Sequence, residues 1–226
     1  MVRRPGMYGR DEMAERLLLE AMAAVDGILD RWQEQCQALR DRGAFTATGV
    51  MGAYRRIVPA DAVRDATASV YAEIAHRLGW LSLDRVLPEA EFQELNAEIG
   101  GWVARDRTIS EVIATFGAPS LWIGPTSLHH AKTLAYATVD PQQTLICFHL
   151  GTTSNEVIEP GPAGASAEPV VLAVRHRPGE FAGSFSYTPE GNRRRPTADQ
   201  LLALQPGNET DAFAPSGADR GCTCEP

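Results

Sequence analysis

Three of the chain's five histidines, one of its four cysteines and its sole lysine fall between residues 129 and 149. His129-His130 stand just before Lys132, and Cys147-x-His149 follows. Imidazole and thiolate are the side chains zinc prefers. Residues two apart on an extended strand point to the same side, so Cys147 and His149 are expected to share a face. If Asp140-Pro141-Gln142-Gln143 turns the chain back on itself, the His129–Lys132 segment lies just beyond Leu150. His130, Cys147 and His149 are therefore the candidate metal ligands, and the enzyme they would suit is a small metal-dependent one, a hydrolase for example. Ligand spacings such as C-x2-C or H-E-x-x-H are absent. Cys147 could also be read as a nucleophile with His130 or His149 as its base. Side chains at i and i+2 on a strand stand about 6–7 Å apart, which is long for that proton transfer. The bland alternative is that Cys147 packs as a small hydrophobe, flanked by Leu145-Ile146 and Phe148, and that His149 ends a strand. Cys222-Thr223-Cys224 supplies a second soft pair, open to metal or oxidation, but it is only half of a ligand set.

The elements that must position these groups are legible from periodicity. Residues 11–41 read as one long helix, because Met13, Leu17, Leu18, Met22, Val25, Ile28, Leu29, Trp32, Cys36 and Leu39 recur at steps of three and four. A second helix is expected over 61–78, with Asp61 as its cap and Gly79 as its stop. A third is expected over about 88–104, with Pro88 in the first turn. Thr108-Ile109-Ser110-Glu111 matches a capping box, and a short amphipathic helix follows to Gly117. After Pro119 the period becomes extended. Residues 121–123, 133–139, 144–150, 170–176 and 181–188 are candidate strands, with 133–139 and 144–150 paired as an antiparallel hairpin. The segment 159–168 reads as a flexible loop. Beyond Pro189 the composition shifts to that of a flexible tail, with a weak helix over 197–204 opened by Thr197 and Gln200. Helices first and strands later predict an α+β fold. Residues 1–117 form the helical part, 118–188 an antiparallel sheet of four or five strands, and 189–226 the tail.

Arg3-Arg4-Pro5-Gly6-Met7-Tyr8-Gly9 resembles the R-P-G-M-Y-x-G segment of the gyrase B-like ATPases of the GHKL superfamily. That resemblance implies a following helix with a catalytic Glu and an Asp-Asn pair serving ATP and magnesium. In this chain the catalytic Glu position falls on Ala23, with Glu20 one turn away, and the magnesium-binding Asn position is Gly27. The resemblance covers about 30 residues, and D-x-G-x-G and the glycine-rich lid are absent from the rest. The simpler reading is a turn at Pro5-Gly6 that lets Met7 and Tyr8 pack on the first helix. The stretch from Ala44 through Arg107-Thr108-Ile109-Ser110-Glu111-Val112-Ile113 is similar to small uncharacterised actinobacterial proteins with a terminal R-T-x-x-E-V-I helix. That family has no function to lend.

The chain has 226 residues, a net charge of -8 and 44% hydrophobic residues, which is enough to bury a core. The acidic balance argues against nucleic acid as a partner. Thr108–Trp122 has some flavour of a helix-turn-helix, but Leu121-Trp122-Ile123 offers no base-reading side chain. No apolar run is long enough to cross a bilayer, and the N-terminus lacks the apolar region of a secretory signal. A bacterial, cytoplasmic protein is the expectation. With catalytic signatures missing, the expected function is that of a non-catalytic interaction protein: an accessory, immunity-like or regulatory subunit that binds another protein. A basic partner such as a nuclease toxin would suit the acidic surface. Self-association stays open, and no cofactor is expected unless the histidine and cysteine cluster holds zinc.

Overall fold

The computed structural model describes residues 12–152 and 168–203. The Arg3–Gly9 motif, most of the 159–168 segment, and Cys222 and Cys224 lie outside the described residues. Contacts divide the chain into two units, the first ending at Pro196. The helices of the first unit are α1 (Glu12–Val25), α2 (Leu29–Asp41), α3 (Gly49–Tyr54), α4 (Ala60–Arg77), α5 (Glu89–Trp102), α6 (Ile109–Phe116) and α7 (Pro189–Arg194). Its strands are β1 (Leu121–Ile123), β2 (Lys132–Tyr136), β3 (Ile146–Gly151), β4 (Val170–Arg175) and β5 (Phe185–Tyr187). They form one antiparallel meander in the order β1-β2-β3-β4-β5. The protein is α+β, as its sequence predicts. The second unit contributes α8 (Ala198–Ala203), where Thr197 and Gln200 cap each other as expected. Among the described residues no helix is long and apolar enough to cross a membrane.

Both faces of the sheet are covered. Ile146, Phe148 and Leu150 of β3 face a core built with Phe92, Leu95 and Ile99 of α5 and Val112 and Phe116 of α6. Cys147, the alternate residue, joins Ala135, Ala173 and the helices α1 to α4 on the other side. Strands buried on both faces need apolar side chains at nearly every position, which is why Leu145–Phe148 and Val170–Val174 read as continuous apolar runs. Helix α4 lies across β2 and β3 and is buried from Ala62 to His76 with few breaks.

Several expectations need correction. The helix expected over 11–41 is two helices. Gly27 takes φ +70, and Ile28 N–H donates to Ala23 O at 2.8 Å while Gly27 N–H donates to Ala24 O at 3.2 Å. That is a Schellman ending, and glycine is the residue that enters it without a Cβ clash. Helix α3, between two expected helices, has no periodic signal because it is only 6 residues long. Its first free amides are met from far away: the Glu12 carboxylate accepts from Val50 N–H (2.7 Å) and Met51 N–H (2.8 Å), and from Tyr71 Oη–H. Asp61 does not cap α4. It accepts from Thr152 N–H at 2.9 Å and pairs with Arg194 at 3.0 Å, tying α4 to the end of β3 and to α7. The capping box of α6 is present as expected: Thr108 N–H donates to the Glu111 carboxylate, and Glu111 N–H to Thr108 Oγ1.

The composition shift at Pro189 does not end the ordered fold. Thr188 Oγ1 accepts from Gly191 N–H (3.0 Å) and donates to Val171 O (2.6 Å), and α7 follows. A Cβ at Gly191 would stand 1.7 Å from Leu172 O, so the helix presses its backbone onto β4.

Candidate functional site

The hairpin register places the candidate ligands. Lys132 pairs with Leu150, Thr133 with His149 and Ala135 with Cys147, so the β2–β3 pairing expected from the Asp140-Pro141 turn is the one observed. Cys147 and His149 share the α4 face of β3. His130 does not join them. It is exposed on the loop before β2, which Lys132 pins by donating from Nζ to Pro125 O (3.0 Å) and Ser127 O (2.6 Å).

His149 is fully buried, with both ring nitrogens engaged. Nδ1 lies 2.9 Å from Thr133 Oγ1 and Nε2 lies 3.4 Å from Tyr54 Oη. The ring stands edge-on to Tyr54 and tilts against Phe185. Cys147 lies beside Arg175, whose Nη2 reaches Sγ at 3.4 Å. Arg175 Nη1 pairs with Glu73 at 2.8 Å, and Glu73 also takes Arg77 at 2.6 Å and the Leu145 amide at 3.3 Å. Tyr54 Oη also lies 3.3 Å from Ser69 Oγ, closing a network that runs from α3 and α4 across three strands.

The electrostatics of this network oppose chemistry. Burial, with Arg175 nearby, pushes His149 well below its ordinary range, so the ring is neutral. Burial raises the Cys147 thiol, and the opposing Arg175 charge does not reverse this. Burial alone would raise Glu73, but Arg175 and Arg77 outweigh it and hold the carboxyl below its ordinary value. A neutral thiol sealed from solvent beside a guanidinium is not an activated nucleophile. Among the described residues no three His, Cys, Asp or Glu side chains converge to hold a metal ion. The trio of His130, Cys147 and His149 is therefore not assembled, because the loop carries His130 outward while β3 carries the other two beneath α4. The network ties helices to sheet.

The feature that sequence reasoning misplaced is α1. Its expected single stripe puts Met13, Leu17, Leu18 and Val25 in the core. Only Leu19 and Ala23 are buried apolar residues there, at 1% and 0% exposure. Met13 is 56% exposed, Leu17 59%, Leu18 46% and Val25 86%. Ala14, Ala21 and Ala24 are exposed among them, and Glu20 is the single exposed charge on the helix. The signal was present in the sequence: Leu17-Leu18-Leu19 cannot all lie on one side of a helix, so α1 is apolar beyond the stripe its own core needs. No protein-family model, no curated protein and no solved structure matches the chain.

Proposed function

We propose that this protein is a non-catalytic accessory or regulatory subunit, immunity-like in its mode of action, that works in the cytoplasm by binding another protein through α1. The observation that carries the reading is the outward apolar face of that helix. Large apolar side chains scattered singly on a surface are ordinary; four on one helix, with alanines between them, form a patch of the kind that marks protein interfaces. The buried His149, Cys147 and Arg175 network supports the same reading, since it offers no accessible reactive group.

The test places a photo-crosslinking residue at position 18 of the full chain, with a control at Val139, which is 81% exposed in the turn between β2 and β3. Irradiation in lysate of the native host should give one discrete adduct from position 18 and none from position 139. Excess unlabelled protein should compete it away, and its Leu17→Asp variant should not. No adduct at position 18, or the same adducts from both positions, would remove the basis of the reading.

A further inference from the structure

We infer that the occupant of the α1 face is an amphipathic helix of a different protein, with large aliphatic residues along its seam and Lys or Arg on its flank. The inference rests on the protein-binding reading above and specifies its partner. Ala14, Leu17, Ala21 and Ala24 follow one another at steps of three, four and three and are all exposed. That is the spacing of a seam between paired helices. Alanines at three of the four positions leave holes rather than knobs, and holes of that size admit leucine or isoleucine side chains from a helix lying about 8–10 Å away.

Charge decides between a foreign helix and a second copy. Glu20 is the exposed charged residue of α1; beyond the helix, Asp26 accepts from the Trp80 indole N–H at 2.7 Å, and Asp30 stands next to exposed Arg31. Arg16, the one basic side chain of α1, is half-buried with its guanidinium over the Phe45 ring. Two copies of α1 paired antiparallel about the helix centre would bring Glu20 near its own counterpart at the edge of an apolar seam; in a parallel pair the two would lie on opposite flanks. Each chain also carries a net charge of -8. Like charges at seam flanks oppose pairing, whereas Lys or Arg at those positions would be attracted.

The experiment uses the full chain and two synthetic helical peptides of about twenty residues, long enough to hold a helix on binding. Both carry leucine at the seam positions; one has lysine on its flanks and the other glutamate. The lysine peptide should bind severalfold more tightly than the glutamate peptide at low salt, and the gap should close at high salt. Glu20→Lys should reverse the preference, and Leu17→Asp should abolish binding of both peptides while leaving circular dichroism and the thermal midpoint unchanged. Equal binding of the two peptides overturns the charge assignment, and binding of neither overturns the helical occupant. A dimer in sedimentation velocity that Leu17→Asp dissociates assigns the face to a second copy, and capture on anionic vesicles assigns it to lipid. Each of these outcomes can fail with the position-18 adduct still present, so loss of the partner's chemistry is distinguishable from loss of the binding function.

Discussion

At the scale of single residues, Arg175 and Glu73 form a buried ion pair. Both are buried, at 2% and 4% exposure, and each depends on the other for its charge to be tolerated away from water. Removing one partner strands the other in the interior, which costs far more than the net worth of the pair. Glu73→Ala should destabilise the protein by about 3–5 kcal/mol in urea unfolding. A double change of Glu73 and Arg175 to apolar residues should recover much of that loss. A Glu73→Ala variant as stable as the parent would mean that Arg175 finds water or another acceptor. Sequence alone placed Cys147 and His149 on a common strand face correctly. It could not show that Arg175 would fill the space beside Cys147, because those two positions meet only when β4 pairs with β3.

At the scale of elements, local signals succeeded where the backbone groups of one segment are satisfied within that segment. The Thr108 capping box and the β2–β3 hairpin are of this kind. They failed where satisfaction comes from a distance. Helix α3 takes its cap from Glu12, whereas α7 has a local cap, Thr188 followed by Pro189, and only its seat against Leu172 O comes from a distance. The position of Gly191 yields an element-level prediction. A methyl group there cannot fit without moving α7 off β4, so Gly191→Ala should cost about 1–3 kcal/mol, read as a lowered thermal midpoint. It should also raise proteolysis near Arg193 and Arg194. Unchanged stability would show that α7 is not seated as described.

At the scale of the whole molecule, stability should depend on pH through histidines that the fold buries wholly or in part. His149, His76 and His176 are all lowered from 6.5, chiefly by burial, and His176 falls to about 4. A histidine whose folded pKa is depressed leaves the unfolded chain to bind the proton first. Its contribution is complete above about pH 6.5 and is lost as the pH falls from there towards the folded value. Glu73, held below its ordinary 4.5, adds a further loss with the same sign at lower pH. Urea midpoints should therefore be lower at about pH 5 than at about pH 7.5. The combined His149→Gln and His176→Gln variant, less stable at neutral pH, should show a flatter profile. A parent profile that is level across this interval would contradict the burial of these rings.

The α+β class, the order of most elements, the β2–β3 pairing and the capping of α6 were legible in the residues alone. Each follows from periodicity, turn chemistry or hydrogen bonds that close over a few residues. Which apolar residues are buried and which polar groups meet was settled by packing between elements. The amount of apolar side chain on α1 is visible in its residues, but how much of it the core can cover depends on how α2, α3 and α4 pack around it. Once those helices have covered Leu19 and Ala23, Leu17 and Leu18 are left facing outward. His130 is separated from Cys147 and His149 for a related reason: the strand pairing aligns their positions, while the Lys132-pinned loop and the α4 lid send them to opposite environments.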